Sequence, residues 1–371
     1  MRTDLIIVHF LGSDDVVRLL ERLGVWDQGT IWLVDNSVHE PGGQRHAQRL
    51  RDFCVGRSDI TCLEPGSNQG FARACNLAYS RSKADCVALI NPDACIDREH
   101  LHRLVEDLER SPQVGAISPL LYWNPDLTFV TPPSQPQGPA ALLEQMVCSW
   151  FPELAQRVAL KDLDRSISIF CQTVPVEVNF LTGAVLVIRR LAAVAAAERY
   201  QLDAQQLFDP DYFMFFEDSD LSLRLRRTGW SLAVSTAAAA VHTYRHKPFK
   251  SGMMDQSRQF FFRKHFPLFF YLTGSLRLCD RVIRYSGVQG TALANFGPIR
   301  DYAEFRAKLG SQAVLALSPS MLSKPALFRP LNAEHEALSP EDWALLETGH
   351  YTALIRQPTG ELYWCRFERQ A

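Results

Sequence analysis

Residues 4–37 read DLIIVHFLGSDDVVRLLERLGVWDQGTIWLVDNS, and the order of patterns in this stretch decides the fold. Leu5–Phe10 is an unbroken apolar run, the pattern of a parallel strand covered on both faces. Ser13, Asp14 and Asp15 then open a helix that carries Val17, Leu19, Leu20 and Leu23. Short polar side chains satisfy the free N–H groups of a first turn, and acids suit its positive end. A second short strand, 30–34, runs into Asp35-Asn36-Ser37. The alternation continues with helix 44–53, strand 60–63, helix 71–80, strand 86–90 and helix 99–110. This order predicts an α/β fold with a mostly parallel central sheet flanked by helices.

Sheets of that kind bind ligands beyond the carboxyl ends of their strands. Polar residues gather at those ends: Asp35-Asn36 after the second strand, Asn68 to Asn76 after the third, and Asn91-Pro92-Asp93 after the fourth. Turn chemistry alone explains any one of these clusters. Three at successive strand ends are better explained by a shared cleft.

Further along, residues 124–140 (NPDLTFVTPPSQPQGPA) read as a loop excursion, being rich in proline and polar residues. Val176, Val178 and Phe180 restore a strand alternation, and Leu181-Thr182-Gly183-Ala184 leads into the apolar run 185–188. Gly183 there suits a close approach of backbone to a ligand or to another strand. The segment 208–230, FDPDYFMFFEDSDLSLRLRRTGW, is the densest in chemistry. Its aromatic run delivers Glu217, Asp218 and Asp220 to the start of an amphipathic helix. Unpaired carboxylates are costly to bury, so the cluster reads as a set of acids at the lip of a core, where one can act as a base. The alternative is that Asp218 or Asp220 merely caps the helix.

A strand at 233–241 ends at His242. Residues 260–272 are strongly aromatic around Arg263, Lys264 and His265. They read either as a helix packed on the catalytic domain or as a surface that meets a membrane. From about residue 290 the character shifts, with strands at 313–317, 351–356 and 362–367 around a polar helix at 340–348. The expected organisation is a catalytic domain over 1–270, followed over 271–371 by a helical linker and a small α+β extension.

The whole-chain numbers narrow the class. The 371 residues can bury a large core, and the formal net charge of −2 argues against a broad nucleic-acid-binding surface. Nine cysteines are scattered without a CxxC pair, which favours reduced thiols in a cytoplasmic protein over a disulfide framework or zinc site. Leu5–Val8 is too short for the apolar core of a secretory leader, and no apolar stretch reaches the length of a membrane span.

The order of the clusters resembles the family-2 glycosyltransferases, and within them the bacterial rhamnosyltransferase-like branch. The resemblance covers residues 4 to 266 and rests on IIVHF (6–10), VDNS (34–37), NQGFARACN (68–76), LINPDA (89–94), FLTGAVLVIRR (180–190) and the block around FEDSDLSLRLRRTGW (216–230). It implies a GT-A fold and transfer of a sugar from a nucleoside diphosphate donor to an acceptor hydroxyl, with inversion at the anomeric carbon and a divalent metal. By position, Asp93 is implied as a metal ligand with Asn91 beside it, and His242 as a further ligand. Charge grows on the diphosphate leaving group, so a hard cation is valuable there. Imidazole leans the choice towards Mn²⁺ over Mg²⁺, whereas a histidine simply packed at a strand end is the plainer reading of His242.

The same resemblance places the base on Asp218, with Glu217 as its acidic partner and as a candidate to bind acceptor hydroxyls. Asp220 is implied to cap the helix or orient Arg224. Adjacent acids raise one another's pKa, which suits a carboxylate acting as a base near neutral pH. Asp35 matches the acid that accepts the pyrimidine N3–H, favouring a UDP- or dTDP-sugar, with dTDP-rhamnose as one candidate. Asn68, Gly70, Phe71 and Asn76 match the wall of the base and ribose, and Arg73 either faces the diphosphate or is solvated. His9-Phe10 departs from the branch's usual Asn-Tyr. The expected acceptor is a glycan or lipid-linked glycan in cell-surface polysaccharide synthesis. The expected location is cytoplasmic, with peripheral contact at the cytoplasmic face of the inner membrane left open.

Other classes fare less well. A Rossmann dehydrogenase lacks its GxGxxG after the first strand, and a nucleotidyltransferase lacks its basic, glycine-rich signature near the N-terminus. A non-catalytic carbohydrate-binding or scaffold protein of the same fold is opposed by the joint presence of Asp93, Asp218 and His242.

Overall fold

The computed structural model describes residues 1–133, 135–243, 251–285, 294–320, 326–329 and 338–371. Fifteen strands form one sheet. They are β1 Thr3–His9, β2 Ile31–Asp35, β3 Ile60–Leu63, β4 Cys86–Ile90, β5 Ala94–Cys95, β6 Val114–Tyr122, β7 Val130–Thr131, β8 Val176–Val178, β9 Val185–Arg189, β10 Ser231–His242, β11 Ala294–Ile299, β12 Ala313–Ser318, β13 Leu327–Phe328, β14 Gly349–Arg356 and β15 Leu362–Arg369. The spatial order is β11-β15-β14-β12-β13-β7-β6-β9-β4-β1-β2-β3, with β10 branching off to pair β5, β6 and β8.

The four N-terminal strands are parallel, as their short strand-helix spacing requires. The sheet as a whole is mixed. β9 runs antiparallel between β4 and β6 because it re-enters after the long excursion through residues 123–184 instead of a single crossover helix. Every residue of β1 is buried, and its alternate side chains serve two cores. Leu5 and Ile7 join Leu20, Leu50, Leu101 and Leu104 on one face. Ile6 and Val8 join Ala78, Ala192, Leu221 and Leu225 on the other. Asp4 survives burial in β1 because Thr30 N and Trp32 Nε1 donate to its two oxygens at 2.9 and 3.0 Å.

The C-terminal strands continue the sheet through one pairing, Phe328 of β13 opposite Val130 of β7. Their core includes Trp123 and Phe129 of the excursion, beside Phe305, Trp343 and Phe367. Asn124 is buried: its Nδ2 donates to Asp342 Oδ1 at 2.7 Å, and its Oδ1 accepts from Phe129 N at 2.9 Å. The first part of the expected loop is therefore a strut against the extension, while its last residues start the helix Pro139–Trp150. The shift in character near residue 290 lies outside the described residues. Cys75, Cys86, Cys148, Cys279 and Cys365 are buried, whereas Cys62 and Cys171 are exposed. Among the described residues no helix is long and apolar enough to cross a membrane.

Candidate active site

At the end of β2, Asp35 is buried, and its Oδ1 accepts from Ser37 N at 2.9 Å, Ser37 Oγ at 2.7 Å and His9 Nδ1 at 3.0 Å. The tautomer of His9 follows from its other nitrogen. Gly12 N donates to Nε2 at 2.8 Å, so the proton sits on Nδ1 and points at Asp35. Burial pushes the Asp35 carboxyl up, but the His9 and Ser37 hydrogen bonds outweigh it and hold the group below its ordinary value. Its Oδ2 is buried without a hydrogen-bond partner, which leaves one acceptor position for a donor from outside. Sequence reasoning saw in His9 only a departure from a pattern. The available signal was a polar residue closing an otherwise apolar strand.

Asn36 braces the next loop. Its Nδ2 donates to Asn68 Oδ1 at 3.1 Å and Gly70 O at 2.9 Å, and its Oδ1 accepts from Gln69 N at 2.9 Å. Gly70 has φ +72°, and a Cβ there would collide with the Phe213 carbonyl, so both conformation and space call for glycine. Phe71 N donates to that same carbonyl at 2.7 Å, and the Phe71 ring meets Phe208 at 6.0 Å. Asn76 spends both ends of its amide on Phe208, donating to O at 2.8 Å and accepting from N at 2.9 Å. Arg73 Nε donates to Pro210 O at 2.7 Å. Residues 68–76 thus clamp segment 208–213 to the β2–β3 end of the sheet. The structure brings two of the sequence motifs into one unit.

The acids follow from a strained turn. Phe215 and Phe216 both lie at positive φ, 70° and 64°, a conformation that bulky residues adopt only when their surroundings impose it. Phe216 packs against Phe261 with ring centroids 5.5 Å apart. The helix Glu217–Arg227 then begins with Phe216 at its N-cap and no side-chain cap, so neither Asp218 nor Asp220 is the capping residue.

Each acid sits in a different environment. Glu217 is buried and its Oε2 has no partner; burial first, then the charge of Asp218, push its carboxyl up to about 8. Asp218 is half-buried. Its Oδ1 accepts from Ser219 N at 2.6 Å and its Oδ2 from Gly183 N at 3.2 Å, and burial raises its pKa against those bonds. Asp220 is fully buried. Arg224 Nε reaches its Oδ2 at 2.6 Å, while Lys264 Nζ and His265 Nε2 reach its Oδ1 at 2.6 and 2.7 Å. Burial opposes ionisation there, but Arg224, His265 and Lys264 together hold the carboxyl well below the usual range.

Asp220 is accordingly an anchor that ties the helix Ser251–His265 to the helix of the acids. The Arg224 contact was foreseen from its spacing of four residues. Lys264 and His265 were not, because their partner lies 44 and 45 residues away.

β5 and β10 close the site. Their antiparallel pairing sets His242 opposite Ala94, which brings His242 Nε2 to 3.6 Å from Asp93 Oδ1. Asp93 is exposed and His242 mostly covered. One hard oxygen and one imidazole nitrogen at this separation fit a single divalent cation. Among the described residues no group of three or more His, Cys, Asp or Glu is placed to hold an ion. Asn91 contributes through its backbone: its N donates to Ala184 O and its O accepts from Ala94 N, both at 2.9 Å. Since Ala184 follows Gly183, the Asp93 turn and Asp218 both hang from the same two residues.

Residues 5–174 match the family model described as glycosyl transferase family 2. A curated relative is the N-acetylglucosaminyl-diphospho-decaprenol L-rhamnosyltransferase of Mycobacterium tuberculosis, 25% identical over 239 residues that cover 60% of this chain and 68% of the relative. Among solved structures, GalNAc-T7 with UDP, GalNAc and Mn²⁺ aligns at 12% identity and TM-score 0.49, over 70% of this chain but only 47% of its own. The mannosyltransferase PcManGT from Pyrobaculum calidifontis, in complex with GDP-Man and Mn²⁺, aligns at 15% identity and TM-score 0.46, over 78% of this chain and 70% of its own.

Proposed function

We propose that the chain is a family-2 glycosyltransferase of the rhamnosyltransferase-like branch with a GT-A fold, a reading supported by its matches to the family model and to the rhamnosyltransferase, and that it transfers a sugar from a UDP- or dTDP-activated donor to a hydroxyl of a glycan, with inversion at the anomeric carbon. A lipid-linked saccharide is the acceptor class, and rhamnose the transferred sugar, that the name of the rhamnosyltransferase relative suggests; dTDP-rhamnose is the donor proposed to match it. The observation that carries the reading is the different setting of three neighbouring acids: Glu217 buried with an unpartnered Oε2, Asp220 bonded to Arg224, Lys264 and His265, and Asp218 left half-buried with two backbone donors.

In this reading Asp218 takes the proton of the acceptor hydroxyl as that oxygen attacks the anomeric carbon. Its raised pKa makes it a better base than an ordinary aspartate. Gly183 N–H and Ser219 N–H fix the direction of its oxygens. Glu217 beside it is protonated near neutral pH, so it is suited to donate a hydrogen bond to an acceptor hydroxyl. Asp35, held by His9, offers its unpartnered Oδ2 to the pyrimidine N3–H. A divalent cation between Asp93 and His242 would offset the charge that grows on the departing diphosphate. Cytosine carries no N3–H, so the Asp35 arrangement favours uracil or thymine.

The test is incubation with UDP- and dTDP-sugars plus Mn²⁺, following release of the nucleoside diphosphate. Turnover of one donor that Asp218→Asn abolishes supports the reading. No turnover of any donor, with or without a glycan acceptor, removes it.

A further inference from the structure

Roughly half of the exposed large apolar side chains among the described residues fall in two short segments, 143–154 and 268–278. In the helix Pro139–Trp150, Leu142 and Cys148 face the core, while Leu143, Val147 and Trp150 stand outward at intervals of four and three residues. That is a continuous stripe on one face. In the helix Pro267–Leu272, Phe270 is buried and Leu268, Tyr271 and Leu272 are outward, with Leu268 and Leu272 each 74% exposed.

The two helices are neighbours. Phe266 lies against Gly138 at the start of the first, and the helix Arg277–Tyr285, which follows the second, packs on the first. Leu142 of the first and Phe270 of the second belong to one core, and the two outward stripes stand on these neighbouring helices. Single exposed leucines need no explanation, but stripes on adjoining helices do.

The charge around this surface argues for its occupant. Between residues 251 and 285 the chain carries six Lys and Arg side chains against Asp255 and Asp280, of which Arg258 is paired with Asp280 and Lys264 with Asp209 and Asp220. Arg263, Arg277 and Arg281 are exposed. The stripe on the helix Pro267–Leu272 is flanked by these arginines, while the stripe on Pro139–Trp150 carries Glu144 beside it; with Trp150 and Tyr271 among its members, the surface matches the layering of a bilayer: acyl chains, an interface that favours aromatic rings, and anionic headgroups facing the arginines.

We infer that this surface docks the enzyme on an anionic lipid bilayer. The sequence left 260–272 open between a helix packed on the catalytic domain and a membrane-facing surface; Phe261 and Phe262 are internal, whereas Leu268, Tyr271 and Leu272 stand outward. The docking face is Leu268, Tyr271 and Leu272 together with Leu143, Val147 and Trp150. The surface is also fixed relative to the chemistry. The helix Ser251–His265 leads into it and is bonded to Asp220, two residues from Asp218, through Lys264 and His265. This inference rests on the glycosyltransferase reading only for its purpose, since binding itself is measured without turnover.

The experiment is flotation of the full chain with vesicles of phosphatidylcholine alone and with 30% phosphatidylglycerol (a composition set by the experimenter). Flotation is read beside size-exclusion chromatography and donor hydrolysis in solution. The expected result is binding to the anionic vesicles. The variant W150S/L268S/L272S should bind at least about tenfold more weakly yet hydrolyse donor as the parent does. Arg277→Glu with Arg281→Glu should remove the preference for phosphatidylglycerol. A chain that ignores both vesicles, or one that elutes as a dimer which the triple variant converts to monomer, overturns the inference. Failure of donor hydrolysis in the parent would instead count against the enzymatic reading.

Discussion

Gly183 N donates to Asp218 Oδ2 at 3.2 Å, and the next residue, Ala184, accepts from Asn91 N at 2.9 Å. Two consecutive residues thus join the acid proposed as base to the turn that carries Asp93. The β4–β9 pairing makes this possible, because Ile90 lies opposite Val185 and aligns the two strand ends. A base and a metal side held on one backbone segment keep their separation fixed while a substrate exchanges, which is how positioning lowers a barrier.

Glu217 provides a pH signature. Its folded-state pKa is raised from 4.5 to about 8 by burial and by Asp218. A raised folded pKa contributes stability that is fully present below the unfolded value and is lost as pH rises through the folded one. The melting temperature of Glu217→Gln minus that of the parent should therefore climb between pH 5 and pH 8 and level off above. A difference independent of pH would show that the carboxyl does not titrate in this way.

The Asp220 cluster predicts a stability effect without a chemical one at its source. Asp220→Asn leaves Arg224 and Lys264 buried or half-buried without their shared carboxylate, and removing one partner of a buried ion pair costs about 3–5 kcal/mol. Denaturant titration should report a loss of that order. Since the Asp220 carboxyl is held below its ordinary value, its contribution is present above the unfolded pKa and lost as pH falls. The parent and variant should converge in stability under acid conditions, and a constant gap down to low pH would contradict the assignment.

The Asp93–His242 pair predicts a conditional loss. Asp93→Ala or His242→Ala should weaken binding of UDP or dTDP in the presence of Mn²⁺ and change it little in EDTA, as calorimetry can measure. Equal weakening under both conditions would mean that the pair acts on the nucleotide without a cation.

Gly70→Ala tests the clamp between the donor loop and segment 208–213. The positive φ and the Phe213 carbonyl both oppose a Cβ, so the variant should lose about 1–3 kcal/mol of stability. A variant as stable as its parent would mean that loop 68–71 stands clear of Phe213.

Much of this was legible in the sequence. Strands 60–63 and 86–90 were read with their observed ends, and helices 44–53, 71–80 and 99–110 came within one residue at each end. Apolar periodicity marks such elements because both faces of the sheet are covered. The mixed direction of the sheet was not legible, since β9 is antiparallel by virtue of the path the chain takes to reach it. β13 is two residues long and β11 opens on exposed residues, so neither carries a pattern. At the site, polar strand ends exposed Asp35 and Asp93, whereas the tie between Lys264 and Asp220 has no sequence spacing to announce it. The partner-free Oε2 of Glu217 likewise appears only once the core has closed around it.

The central claim is that, of the three acids after Phe216, Asp218 alone acts as base. It is tested most directly by comparing donor turnover and melting temperature in Asp218→Asn, Asp220→Asn and the parent, with the donor and Mn²⁺ held constant. The account predicts that Asp218→Asn melts like the parent but turns over about 10²- to 10⁴-fold more slowly, while Asp220→Asn melts earlier and keeps a measurable rate where it remains folded. A folded Asp218→Asn protein with parental turnover would contradict it.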